Sequence, residues 1–204
     1  MKHHFSLPRK NRSENGVTAV ETAITLALLL LIFIGIIEFS VLMTSRANMK
    51  AAVNAAVRAG SIASNSADTD YVILNELRAD LSGRVEAVEY VIIFNANNVV
   101  NSQPSSSCLG MAANGGTGVT SQCNIYSQSI LKTPNASSFG YDPATNPTAI
   151  SDIHWPALTR SATYSGGRDL LGVYIASKSK SITGLVPKLS MQTTSVLRIE
   201  AQDV

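Results

Sequence analysis

GVTAVETAITLALLLLIFIGIIEFSVLM, residues 16–43, is the stretch that decides the fold of this 204-residue chain. Sixteen consecutive uncharged residues, at positions 22–37, separate its two carboxylates, Glu21 and Glu38. A helix of about 20 apolar residues is long enough to cross the hydrocarbon core of a bilayer. The stretch therefore predicts a transmembrane helix over residues 17–43.

The charges of the chain predict how this helix is oriented. Residues 1–16 have a net charge of +3, and the remaining residues together have a net charge of −1. Basic residues flank transmembrane helices on the cytoplasmic side. We therefore expect a single-pass protein of the inner (cytoplasmic) membrane, with residues 1–16 as a cytoplasmic basic leader and residues 61–204 as an extracytoplasmic head. A head without excess positive charge argues against a nucleic-acid partner.

Three kinds of membrane segment fit a basic leader followed by an apolar run. A secretory signal peptide has an apolar region of about 7–15 residues and a small-residue cleavage site, for which Ser45-Arg46-Ala47 would have to serve. An uncleaved signal anchor accounts for the length and the orientation but leaves Glu21 without a role. An ionisable group inside a membrane span is costly, so Glu21 should have a partner and a function.

The third kind of segment is a prepilin. A short basic leader that ends in Gly16, then Val17, then Glu21 as the fifth residue after the glycine resembles the cleavage site of type IV prepilin-like proteins. The resemblance implies that a prepilin peptidase cuts between Gly16 and Val17. It also implies that the new α-ammonium group of one subunit pairs with Glu21 of its neighbour, because pairing offsets the cost of burying each charge.

Further motifs narrow this resemblance. Residues 35–39 (GIIEF) end the apolar run, residues 56–60 (AVRAG) close an Ala-rich stretch, and residues 169–175 and 198–200 hold Asp-x-x-Gly-Val and Arg-hydrophobic-Glu patterns. Together with Glu21 they resemble TadE-like (TadE/TadG-type) proteins, which are minor pilins or pseudopilins of the tight-adherence (Flp-type) pilus system. The resemblance implies a role in pilus assembly for adhesion, biofilm formation or secretion. The partners it implies are other pilin subunits, a prepilin peptidase and the pilus assembly platform.

The first helix should continue beyond the membrane to about residue 60. Residues 46–60 are rich in strong helix formers, and Gly60 can take the left-handed conformation in which many helices end. Such a helix would cross the bilayer and also support the head.

The head is predicted to be α+β, a small pilin-like head with a second helix and an antiparallel sheet. Apolar residues at helical spacing predict that helix over residues 70–83, with Asp68 or Thr69 as its cap and Gly83 as its stop. Residues 85–94 predict a strand with alternating burial, and two more strands over 170–177 and 190–201 close the chain. We expect the sheet to pack against the outer part of the first helix.

The middle of the chain, residues 98–168, is rich in Ser, Asn, Gly and Pro and predicts loops, with regular structure indicated only near 125–131. It contains both cysteines of the chain, Cys108 and Cys123. In an oxidising compartment they should form a disulfide, which closes a loop of about 15 residues and stabilises the head by roughly 3 kcal/mol. Two free thiols in a loop are the alternative.

Residues for catalysis or cofactor binding are scarce. His154 is the one histidine beyond the leader, and the chain has neither a G-x-S-x-G elbow nor a phosphate-binding G-x-x-x-x-G-K-[ST] loop. We therefore expect no catalytic residues, no metal, no cofactor and no enzymatic activity. Two functional hypotheses remain: a minor pilin or pseudopilin, and a membrane-anchored periplasmic scaffold or binding domain that never enters a filament.

Overall fold

A computed structural model of the protein describes residues 12–81, 83–97, 99–163, 167–179, 184 and 189–201. Most of the predicted leader, residues 1–11, lies outside these ranges, as do the side chains of residues 12–15. The described residues form an α+β protein, with a long N-terminal helix, a second helix and an antiparallel sheet. This confirms the predicted fold class.

The first helix, α1, spans Arg12–Ala63. Its 52 residues correspond to a length of about 78 Å. The apolar run is exposed around its circumference, as shown by Val20 at 60%, Ile24 at 63% and Leu28 at 61% relative exposure. Within the described ranges, α1 is the helix that is long and apolar enough to cross a membrane.

The last third of α1 carries the head on one face. Met49, Ala52, Val53, Ala56 and Val57 recur at helical spacing, and each is 4% exposed or less. This face packs against the second helix and the sheet in a single hydrophobic cluster. The apolar run of α1 is therefore exposed, whereas the last third of the same helix is part of the hydrophobic core.

The second helix, α2, spans Thr69–Asp80 and runs back along α1. Ile73, Leu74 and Leu77 are fully buried. After the helix, Gly83 has a φ of +76°, a backbone conformation that favours glycine. The prediction of a second helix that stops near Gly83 is therefore confirmed.

The described residues form a five-stranded antiparallel sheet with the order β2-β3-β1-β4-β5. Two short helices lie between the first and fourth strands: α3 spans Ser106–Ala113 and α4 spans Gln128–Lys132. The strand bounds are β1 Val88–Asn95, β2 Gly118–Val119, β3 Cys123–Ser127, β4 Leu170–Lys178 and β5 Ser190–Arg198.

Strand β1 is buried on both faces, so the predicted half-buried strand is wrong in this respect. Val91 and Ile93 face the cluster formed with α1 and α2, whereas Ile92 and Phe94 face a second cluster around the cysteines. The reason is that α1 and α2 cover one face of the sheet at β1, and α3 covers the other. Such strands read as continuous apolar runs.

The prediction of loops for most of residues 98–168 misses α3 and β2, whereas the regular structure expected near 125–131 is confirmed by β3 and α4. The segment contains α3, β2, β3 and α4. Helix α3 has a capping signal in its sequence, since the Ser105 hydroxyl accepts a hydrogen bond from the Cys108 backbone N–H at 3.2 Å. Strand β3 has no comparable local signal, because it is defined by pairing with β1 on one side and β2 on the other.

Gly60 does not end the first helix. Helix α1 continues to Ala63, and Ser64, with a φ of +59°, takes the left-handed conformation instead. At Gly60 a β-carbon would lie 2.5 Å from Ile73 Cδ1 and 2.9 Å from Leu171 Cδ2. The glycine therefore allows close packing of α1 on α2 and the sheet.

Replacing Gly60 with alanine should destabilise the head by about 1–3 kcal/mol, because the added methyl group overpacks the core. Gly110→Ala, in α3, is the matched control: a β-carbon there meets nothing within 4 Å. It should be neutral or add up to about 1 kcal/mol through helix propensity. Urea unfolding of the full-length protein in detergent, followed by the fluorescence of the single tryptophan, measures both. Equal stabilities of the two variants would contradict this account of Gly60.

Candidate functional site

The residues predicted for processing and assembly lie on the first turns of α1. Val17 and Glu21 are four positions apart, so they lie on one face of the helix with a rise of about 6 Å between them. Val17 is 61% exposed, and Glu21 is exposed as well. A β-carbon at Gly16 would meet nothing within 4 Å. The backbone around the predicted cleavage site is therefore open.

The hydroxyl groups near Glu21 are used by the helix itself. Thr22 Oγ1 donates to the Thr18 carbonyl at 2.8 Å, and Thr25 Oγ1 donates to the Glu21 carbonyl at 2.9 Å. None of the ion pairs between described residues includes Glu21. A polar partner for its carboxylate would therefore have to come from outside the described residues or from another molecule.

The two cysteines lie far along the chain from this helix start. The structure joins Cys108 of α3 to Cys123 of β3 in a disulfide, with the Cα atoms 6.3 Å apart. Both cysteines are fully buried, and they share a cluster with Phe94 and Tyr174. The bond holds α3 against the face of the sheet that is turned away from α1.

The Asp-x-x-Gly-Val motif organises the start of β4. Asp169 accepts hydrogen bonds from the Ser161 backbone N–H at 2.8 Å and from Asn97 Nδ2 at 2.6 Å. Gly172 pairs across the sheet with Phe94, and a β-carbon at Gly172 would collide with the Phe94 ring. The aspartate thus connects three segments, and the glycine makes room for an aromatic side chain.

The Arg-hydrophobic-Glu motif ties the last strand to the end of α1. The Ser61 hydroxyl donates to the Arg198 carbonyl at 2.6 Å, and the Ser64 hydroxyl donates to the Glu200 carbonyl at 3.0 Å. Ile199 between them is fully buried. Both C-terminal motifs therefore have structural roles in the head.

The sequence analysis missed a buried ion pair at the centre of the head. Arg160 Nη2 lies 2.6 Å from Asp70 Oδ1, and both side chains are fully buried. The other carboxylate oxygen of Asp70 accepts from Tyr126 Oη at 2.6 Å and from Asn124 Nδ2 at 2.9 Å. The Arg160 guanidinium also lies 4.2 Å above the centre of the Trp155 ring. A helix, a strand and the long segment before β4 thus meet at one charge pair.

Burial of this cluster changes the ionisation of its neighbours. Desolvation, followed by the nearby Asp70 carboxylate, raises the pKa of Tyr126 well above its ordinary value of 10.0. Desolvation also raises the pKa of Asp152, which accepts a hydrogen bond from the Tyr141 backbone N–H at 3.0 Å. The phenol therefore stays protonated and continues to donate to Asp70 at neutral pH.

One signal could have indicated Asp70 in advance. It precedes Ile73, Leu74 and Leu77 by three, four and seven residues, so it shares the buried face of α2. A carboxylate on such a face needs a cationic partner. Nothing in the sequence shows that the partner is Arg160, which lies 90 positions further along the chain.

Metal binding in the described part of the head would need a group of ligating side chains. Among the described residues, no group of three or more His, Cys, Asp or Glu side chains is placed to hold a metal ion. His154 forms a hydrogen-bonded pair with Thr117 Oγ1 at 3.0 Å. The polar contact of His154 therefore joins two parts of the head to each other.

The span and the head define the class of protein: a helix able to cross a membrane once, joined to an α+β head. Within this class, residues 16–58 match the family described as TadE-like protein, which confirms the resemblance seen in the sequence. The family indicates a protein associated with a Tad pilus. The match ends within α1, so the C-terminal motifs lie outside it. No curated protein and no solved structure gives a significant match to the chain.

Removing one partner of the buried ion pair should be costly. Asp70→Asn leaves the Arg160 guanidinium buried without an anion, and the expected loss is about 3–5 kcal/mol in the free energy of unfolding. Asp70→Asn combined with Arg160→Met should recover part of this loss, because no uncompensated charge remains. Urea unfolding followed by the fluorescence of Trp155, which contacts Arg160, measures both variants.

Lys132→Met is the matched control for this experiment. It breaks the ion pair between Lys132 and Glu86, whose side chains are 41% and 57% exposed, so the expected change is below about 1 kcal/mol. An Asp70→Asn loss as small as that of the control would show that the buried pair does not stabilise the head.

The raised pKa of Tyr126 predicts a loss of stability at alkaline pH. The unfolded chain releases this phenol proton near pH 10.0, whereas the folded protein retains it, so the free energy of unfolding should fall as pH rises above 10. Tyr126→Phe should flatten this fall, although burial also raises the pKa of Tyr174 and leaves a residual slope. Urea midpoints measured from neutral pH to above pH 10 give the slope, with Tyr141→Phe as the control. An unchanged slope in Tyr126→Phe would contradict the prediction.

Proposed function

We propose that the protein is a minor pilin or pseudopilin that contributes to the assembly of a Tad (Flp-type) pilus. One observation carries the proposal: within the TadE-like match, the apolar run of residues 16–43 is a helix that the head leaves largely uncovered, with Gly16, Val17 and Glu21 exposed at its start. A helix that served only as an anchor would need the apolar length but not the carboxylate.

The first step in this proposal is removal of the leader. A prepilin peptidase cuts between Gly16 and Val17, and glycine leaves the scissile peptide bond open to the protease. The cut converts an internal residue of α1 into a new N-terminus with a positively charged amine. That amine lies about one helical turn, or ~6 Å, before Glu21 on the same face of the helix.

The second step is pairing between subunits. The amine of Val17 in one subunit pairs with the Glu21 carboxylate of its neighbour as the apolar helices pack side by side. Each charge alone is expensive in the low dielectric of a membrane or a helix bundle, and pairing offsets much of that expense. The pair therefore favours side-by-side packing of processed subunits over dispersed ones.

The proposed setting follows from these steps. The protein lies in the inner membrane with its N-terminus in the cytoplasm and its head outside, and it reaches the pilus or cell surface if it enters the filament. Its partners are the membrane, other pilin subunits, the prepilin peptidase and the pilus assembly platform. The described part of the head contributes packing and a stable shape, and the proposal assigns it no enzymatic step.

Sequencing the N-terminus of the protein isolated from cells that express the pilus system tests the processing step. The proposal expects the mature chain to start VTAVETAIT. Gly16→Ala should retain the leader, whereas Gly35→Ala, at a second open glycine of the apolar run, should be processed normally. A chain that keeps Met1 would favour the membrane-anchored scaffold, and one that starts near Asn48 would indicate a secreted domain.

Glu21→Gln tests the pairing step, since it removes the charge and keeps the size of the side chain. The variant should be inserted and processed, but its amount in sheared filaments should fall at least tenfold. Glu76→Gln, a carboxylate change on α2 in the head, is the control and should leave the amount unchanged. Normal incorporation of Glu21→Gln would overturn the ion-pair mechanism even if the leader is removed.

A further inference from the structure

A pocket with a volume of about 220 Å³ lies between α1 and the base of the head. We call it the basal pocket. Three parts of the head meet α1 here: the turn between α2 and β1, the end of β4 and the start of β5. Its apolar walls are formed by Val41, Met49, Leu81, Val88 and Met191.

The basal pocket lies where α1 leaves the apolar run. Val41 belongs to the last turn of residues 16–43, and Ser45 and Met49 follow on the same side of the helix. A helix of that length measures about 42 Å, which equals the thickness of a bilayer with its headgroup regions. The pocket is therefore at the depth of lipid headgroups.

The surface around the pocket continues the apolar surface of the span. Leu189, just before β5, is 43% exposed, and it lines a second depression together with Leu42 and Met43. Contiguous exposed apolar side chains mark sites of interaction with membranes or other proteins. In the orientation of the proposed function, the base of the head adjoins the membrane surface.

The mouth of the basal pocket is positively charged. Arg84 and Lys178 line it, and both are exposed. Lys178 forms an ion pair with Glu89, so that charge is balanced. The guanidinium group of Arg84 contacts the side-chain amide of Asn48, which is neutral. Among the described residues, no ion pair compensates the charge of Arg84.

We propose that the basal pocket binds an anionic glycerophospholipid from the leaflet that the head faces. The apolar walls take the upper part of an acyl chain, and Arg84 contacts the headgroup phosphate. A pocket of this size holds part of a lipid, since sites that enclose a drug-sized ligand are about 300–1,000 Å³. The remainder of the lipid stays in the leaflet, which is continuous with the pocket through Val41.

Such a lipid would fill the gap between α1 and the base of the head and would restrict motion of the head relative to the apolar run. This role depends on the membrane span but not on leader removal or on pilus assembly. A failure of the lipid proposal therefore leaves the proposed function untouched, and the reverse also holds.

The test uses the full-length protein in nanodiscs made from equal amounts of phosphatidylglycerol and phosphatidylcholine. After transfer to a mild detergent, native mass spectrometry counts the lipids that each protein molecule retains. The wild-type protein should retain phosphatidylglycerol over phosphatidylcholine by about fivefold, which corresponds to one basic side chain at the membrane surface. Arg84→Gln should lower this preference to near equality, and Ala87→Trp should remove retention of both lipids, because the indole fills the pocket.

Two matched controls accompany these variants. Arg58→Gln changes an exposed cation on α1 away from the pocket, and Ala113→Trp adds an indole to an exposed position of α3; both should behave as wild type. Equal retention of the two lipids by the wild-type protein would overturn the proposal. It would also fail if Arg58→Gln matched Arg84→Gln or if a folded Ala87→Trp retained lipid normally. Should Ala87→Trp not fold, Ser45→Phe fills the pocket from the α1 side and provides the same test.

Discussion

The packing of the head on the last third of α1 is the contact on which the rest of the structure depends. Met49, Ala52, Val53, Ala56 and Val57 bury one face of the helix against α2 and the sheet. Because the same helix continues into the apolar run without a break, helix geometry sets the position of the head relative to that run. A kink or a flexible linker at this point would allow the head to move relative to the apolar run.

Within the head, the buried ion pair of Asp70 and Arg160 joins α2 to the segment between β3 and β4, which has little regular secondary structure. The residues from β3 to β4 contain only short helical turns, yet Trp155, Asp152 and Arg160 are buried. A fully buried carboxylate and guanidinium each require the other, so the segment has one favourable position over α2 and β3. The disulfide between Cys108 and Cys123 plays the corresponding part on the opposite face of the sheet.

The parts of the structure that follow from local pattern were predictable, and the parts that follow from pairing were not. The apolar run is marked by its length and composition, α2 by helical spacing and the C-terminal strands by their local sequence, and each lies close to its predicted bounds. Strand β3 is indicated only from residue 125 and not as a strand, because CNIYS is short and is made a strand by its neighbours. Gly60 was assigned to the end of the helix because glycine often ends helices, whereas here the absence of a side chain admits Ile73 and Leu171.

The sequence by itself determined that the chain has an apolar helix long enough to cross a membrane, with a carboxylate near its start, and that this segment is TadE-like. Composition, length and the spacing of Gly16 and Glu21 are local properties, and they survive any arrangement of the head. Only the tertiary structure decided that Asp70 meets Arg160, that β1 is covered on both faces and that a pocket opens where α1 leaves the apolar run. Each of these joins residues far apart along the chain, and contacts of this kind are set by the packing of the whole fold rather than by the neighbours of any one residue.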